Sequence, residues 1–104
     1  AEVYLNVAGG HRLSDPAADL AVAAALISAL SERPVPADVV LFGEVALSSE
    51  IRPVAHAPLR LREAAKLGFN RAFVPASASD GVNGIAVSGF RTLAQLVDQM
   101  LGRG

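Results

Sequence analysis

Histidine is the side chain that exchanges protons most readily near neutral pH, and this chain has two, His11 and His56. Beside Ser14 or Ser49 and a carboxylate, either would suit a Ser-His-Asp arrangement for acyl transfer. No nucleophile-elbow pattern accompanies them, and their spacing matches no catalytic signature, so the expected role is solvent-exposed or structural. A desolvated lysine is the other base able to activate a serine. Lys66 is the only lysine, and Ser14 would need it, or His11, within hydrogen-bond reach. Metal binding is not expected. There is no cysteine, no His-x-x-x-His pair and no clustered carboxylate–histidine set.

Anion binding is the second chemistry to weigh. The basic set is Arg52, Arg60, Arg62, Lys66 and Arg71. Arg62 and Lys66 lie four apart and share a helical face, with no acid spaced to neutralise both. A solvated face is one reading. Phosphate contact with DNA is the other, since it needs cations but no base-reading motif. Aromatic residues are 5% of the chain and unclustered, so stacking on single-stranded bases is not indicated. Net charge is −1, unevenly spread: residues 1–50 hold seven acids against Arg12 and Arg33, and residues 51–104 hold seven bases against Glu63, Asp80 and Asp98. Such asymmetry suits head-to-tail docking of subunits or an anionic partner, and it also arises by chance. Asp15 and Asp19 bring negative charge to the start of the first helix, where they cap and stabilise rather than admit a phosphate. No Gly-x-x-x-x-Gly-Lys-Ser/Thr motif occurs, so no P-loop is expected.

The elements that must position these groups alternate along the chain. Val3, Leu5 and Val7 alternate with polar residues as in a half-buried strand. Asp15 and Pro16 suit the start of a helix over 16–32, and the apolar run Leu20 to Ile27 predicts that this helix is buried on every side. Val39 to Phe42 reads as a buried strand, and Gly43 to Val54 as a hairpin ending in Ile51–Val54. Pro58 opens a second helix that Gly68 ends. Arg71–Val74 and Ile85–Val87 are further strands around an exposed loop at Ser77–Gly81. Thr92 and Gln95 form a capping box, and Leu93, Leu96, Val97, Met100 and Leu101 follow with helical spacing. The expectation is one α/β domain over residues 1–104, with a small mixed sheet and three helices. No segment approaches the roughly 20 apolar residues of a membrane span, and the N-terminus has no signal-peptide pattern.

Ser14-Asp15-Pro16-Ala17-Ala18-Asp19, then Gly43-Glu44-Val45, Ile51-Arg52-Pro53-Val54 and Arg60, resemble the proteolytic domain of Lon proteases from about Val3 to Leu101. In that family a serine nucleophile opens the helix, and a lysine follows 43 residues later. Ala17 and Arg60 hold those two positions here. Alanine offers no nucleophile, and arginine stays protonated at any working pH. Val7-Ala8-Gly9-Gly10, Asp15 to Ala21 and Glu63-Ala64-Ala65-Lys66-Leu67-Gly68-Phe69 are similar to one branch, the C-terminal Lon-like domain of the RadA (Sms) family of bacterial recombination and repair ATPases. Ser49 stands where that family usually has glycine, and His56 where a basic residue is common.

The resemblance implies a Lon proteolytic-domain fold (ribosomal-protein domain-2-like) with a degenerate dyad at Ala17 and Arg60, and no cofactor. It implies a fragment of a larger cytoplasmic ATPase that forms a hexameric ring along DNA. Arg60, Arg62 and Lys66 are the expected DNA contacts, and the ATPase domain of the same parent chain is the expected partner. The rivals are a Lon-type peptidase fragment that has lost its dyad, and the related domain of magnesium-chelatase-like and ComM-like ATPases, which share the Gly-Glu and Arg-Pro-Val strings. Lys66-Leu67-Gly68-Phe69 favours the RadA-type reading.

Overall fold

The computed structural model describes residues 16–102. The first expected strand, His11, Ser14 and the Asp15 cap lie outside these residues. A 3-10 turn at Pro16–Ala18 leads into α1 (Asp19–Ser31). β1 (Val39–Leu41) follows, then the short strands β2 (Glu44–Val45) and β3 (Ile51–Arg52), and α2 (Ala57–Lys66). β4 (Arg71–Pro75), β5 (Ala86–Phe90) and α3 (Leu93–Met100) complete the order.

Parallel and antiparallel pairing occur on two separate ladders. β1, β4 and β5 form a parallel sheet in that order, with Val40 opposite Ala72 and Ala72 opposite Val87. β2 and β3 form an antiparallel hairpin, with Val45 opposite Ile51. The strand expected to reach Phe42 ends at Leu41, and the hairpin partner expected through Val54 ends at Arg52, where Pro53 removes the next backbone donor.

β4 is central and buried on both faces, so its alternating side chains feed two cores. Phe73 packs with Leu20, Ala24, Val39, Ile51, Phe90 and Leu96 on the side of α1 and α3. Ala72 and Val74 pack with Phe42, Leu61, Ala64 and Ile85 on the side of α2. Phe73 and Phe90 meet edge to face at 5.3 Å, a favoured aromatic geometry.

The first helix differs from expectation. Only Leu20 and Ala24 of α1 are buried, while Leu26 is 47% and Leu30 86% exposed. Among the described residues α1 turns the stripe of Leu20 and Ala24 inward and leaves Leu26 and Leu30 in solvent.

The last helix follows the expected pattern. Thr92 caps α3 by accepting from the Gln95 N–H at 3.3 Å, and the Gln95 carboxamide oxygen accepts the Arg91 N–H at 2.7 Å. The reciprocal bond of the capping box thus falls one residue before the cap. α2 starts one residue before Pro58 and ends at Lys66, and Gly68 takes the left-handed φ of +96° that the chain reversal requires.

Candidate functional site

The start of α1 and the hairpin are stitched together by backbone. The Gly43 N–H donates to the Ala17 carbonyl at 3.0 Å, and the Leu20 N–H donates to the Gly43 carbonyl at 2.9 Å. A Cβ at Gly43 would stand 3.3 Å from side-chain carbons of Leu20, Ile51 and Pro75, so glycine permits this approach. Asp19 accepts the Val45 N–H at 3.1 Å. Its carboxylate therefore stabilises the fold as expected, although it holds β2 rather than capping its own helix.

These contacts set Ala17 on one wall of an open, mainly apolar groove of about 610 Å³. Leu59, Arg60 and Glu63 of α2 also line it, together with Val40, Leu41 and Phe42. Ala17 and Arg60, 43 residues apart in sequence, thus face one cavity. The Arg60 Nε donates to the Ala55 carbonyl at 2.9 Å, and its guanidinium lies 6.0 Å from the centre of the Phe42 ring. At that range the cation–π contact contributes about 0.5–1 kcal/mol at a partly exposed site. With a buried methyl on one side and a tethered permanent cation on the other, these two positions supply neither nucleophile nor base. Phe42, Leu59 and the Ala55 carbonyl escaped the sequence reading. Phe42 ends an apolar run that signals only burial, and a backbone carbonyl carries no residue signature.

The structure divides the basic set. Lys66 lies 3.8 Å from Glu63, so an acid three residues away partly neutralises it and leaves Arg62 without that partner. Arg52 sits 3.8 Å from Glu50. Arg71 makes two bonds to Asp38, at 3.0 and 3.3 Å. Those bonds are the largest influence holding the Asp38 carboxyl below its ordinary 3.8 and raising the Arg71 pKa, against an opposing desolvation effect on each. The Arg62 side chain is exposed and forms no hydrogen bond or ion pair among the described residues. Arg60, Arg62 and Lys66 therefore share α2, but only Arg62 presents an uncommitted charge.

His56 precedes α2 with a left-handed φ of +64° and makes no side-chain cap bond. Ser49 also has positive φ, +73°, at the hairpin turn. They are in separate elements, and no serine–histidine hydrogen bond forms among the described residues. Three His, Asp or Glu side chains able to hold a metal do not cluster anywhere among the described residues. No described helix is long and apolar enough to cross a membrane.

Residues 2–78 match the family model described as Subunit ChlI of Mg-chelatase. The chain is 60% identical over 74 residues to the DNA repair protein RadA of Brucella abortus, covering 71% of this chain and 16% of that protein. It is 49% identical over 86 residues to the same-named protein of Aquifex aeolicus, covering 83% and 19%. To that of Salmonella typhimurium it is 46% identical over 95 residues, covering 89% and 21%. The chain spans about a sixth to a fifth of the length of these curated relatives, and the resemblance to RadA proteins read from its motifs is borne out.

Proposed function

Since the chain belongs to the family described as subunit ChlI of Mg-chelatase, and DNA repair proteins named RadA share up to 60% of aligned residues with it, we propose that it is a non-catalytic Lon-protease-like domain of a RadA-type repair and recombination ATPase. In this reading the domain is cytoplasmic and scaffolds a ring of copies beside the parent's ATPase domain. The observation that carries the non-catalytic part is the groove in which Ala17 faces Arg60. The tether from Arg60 to Ala55 and its position over the Phe42 ring give that arginine a structural occupation there.

Peptidase assay tests this part. The chain, and the Ala17→Ser variant, should cleave neither a casein-like protein nor short peptide reporters above buffer. A protonated arginine cannot take the serine proton at neutral pH. Turnover that disappears on mutating Ser14 or His11 would overturn the reading.

A magnesium-chelatase or ComM-like parent is the second reading, favoured by the family match over residues 2–78. The two differ upstream of this domain in the parent reading frame. A four-cysteine finger with a RecA-type P-loop supports the first, and an AAA-type ATPase supports the second.

DNA contact is the third part of the proposal. It rests on Arg62, exposed and without a side-chain partner among the described residues, with Arg60 and Lys66 on the same helix.

A further inference from the structure

The chain returning from β4 to β5 passes through Asp80-Gly81-Val82-Asn83-Gly84-Ile85. Val82 and Ile85 pack into the core on the side of α2, and Asn83 and Gly84 between them form an exposed turn. Gly84 takes a φ of +93°, open to glycine and strained for residues with a Cβ. A Cβ added there would stand 3.7 Å from the Ala65 Cβ of α2 and near nothing else. Backbone N–H groups normally find an acceptor in the protein or in water. The Gly84 N–H donates to no group among the described residues, and the Asn83 carboxamide forms no hydrogen bond there either.

Comparable pairs in the chain lack this freedom. The Gly81 N–H donates to the Ala78 carbonyl at 3.3 Å, which restrains it from Asp80. The Arg71 N–H donates to the Asp38 carbonyl at 3.1 Å, which restrains it from Asn70. Asn6, the remaining asparagine, precedes Val7, whose branched Cβ crowds its backbone nitrogen.

We propose that Asn83–Gly84 is a site of self-modification by deamidation. The Gly84 backbone nitrogen gives up its proton to solvent and attacks the Asn83 side-chain carbonyl carbon. The new C–N bond closes a succinimide ring, and the carboxamide nitrogen leaves as ammonia after taking a proton from water. A water molecule then opens either imide C–N bond. Cleavage at the side-chain carbonyl gives aspartate. Cleavage at the main-chain carbonyl gives isoaspartate, in which the backbone runs through the side-chain carbons. The isoaspartate form has the larger consequence, because it lengthens the main chain immediately before the buried Ile85 and before Ala86, whose N–H donates to the Asn70 carbonyl at 3.0 Å. β5 has little room to slide and absorb that length, since even a Cβ at Gly89 would stand 2.9 Å from the Ala76 Cα. The aspartate form only exchanges an exposed amide for an exposed carboxylate.

Incubation of the folded chain at mildly alkaline pH, followed by tryptic peptide mass spectrometry, tests the site. Cleavage after Arg71 separates Asn70 from Asn83. The Asn83 peptide should gain the mass difference between an amide and an acid, take up label from heavy-oxygen water, and react faster as pH rises. The Asn70 peptide should stay unchanged, and Asn83→Gln should suppress the reaction because its ring would be larger. An isoaspartyl methyltransferase should label the aged chain. The isoaspartate form should unfold at a lower temperature than the parent, while Asn83→Asp should match the parent. Reaction at Asn83 in urea with none in the folded chain, or faster reaction at Asn70 than at Asn83 in the folded chain, would overturn the proposal. An isoaspartate form as stable as the parent would overturn its consequence for β5.

Discussion

At Ser49 the turn demands a left-handed backbone from a residue that carries a Cβ, with φ of +73°. Its carbonyl accepts the Leu93 N–H at 2.8 Å, so the strained turn also satisfies the first donor of α3. Ser49→Gly should relieve about 1 kcal/mol of strain against a smaller entropic cost, raising stability by several tenths of a kcal/mol in urea denaturation. A lower midpoint would show that the serine makes a compensating contact. Asp38 carries the clearest pH dependence. Its carboxylate accepts from the Arg71 guanidinium, and its backbone carbonyl accepts the N–H groups of Asn70 and Arg71, tying the start of β1 to β4. Its folded pKa is depressed below 3.8, chiefly by the hydrogen bond from Arg71. The stabilisation is thus fully present above about pH 4 and is lost as pH falls through the lowered folded value. Asp38→Asn should unfold earlier than the parent at pH 7, and the gap should close toward pH 2.5. An equal gap at both pH values would assign the effect to packing instead of ionisation.

Elements meet here through close backbone approach more than through large side chains. β4 and β5 are parallel neighbours joined by only residues 76–85, so the 3-10 turn Ala76–Ala78 crosses directly over β5. A Cβ on Gly89 would stand 2.9 Å from the Ala76 Cα and the Ser79 Cβ. Gly89→Ala should therefore cost about 1–3 kcal/mol by forcing that turn away from the sheet, read as a lower unfolding midpoint. A neutral result would mean that the crossover yields freely. α1 follows a different rule. Its small Ala residues allow close packing on one stripe, and the exposed Leu26 and Leu30 show that composition did not determine how much of the helix is covered.

Across the whole molecule, charge decides what the proposed DNA contact can achieve. With Arg71, Arg52 and Lys66 each beside a carboxylate, the cationic strip reduces mainly to Arg62 and the tethered Arg60. Weak, sequence-independent binding to duplex DNA is the expected outcome, falling steeply as salt rises because phosphate neutralisation releases counterions. The double variant Arg62→Glu/Lys66→Glu should bind more weakly and lose about 2 from the salt slope if both contact phosphate, with folding unchanged. Titration of labelled duplex at several salt concentrations measures both quantities. Binding untouched by the double change would return α2 to a solvated face.

The sequence by itself determined the alternation of strands and helices, the capped ends of α2 and α3, and the absence of serine and lysine at positions 17 and 60. Those features depend on periodicity, on residues a few positions apart, or on chemical identity alone. Tertiary structure alone decided that Ala17 and Arg60 line one groove, that only Leu20 and Ala24 of α1 are buried, and that Asp38 partners Arg71. The groove needs the 43-residue separation closed by Gly43 and Phe42, and the exposure of Leu26 and Leu30 depends on which side of α1 meets the core. Asp38 and Arg71 meet only because parallel pairing sets β1 beside β4, a contact between residues 33 positions apart that no local spacing encodes.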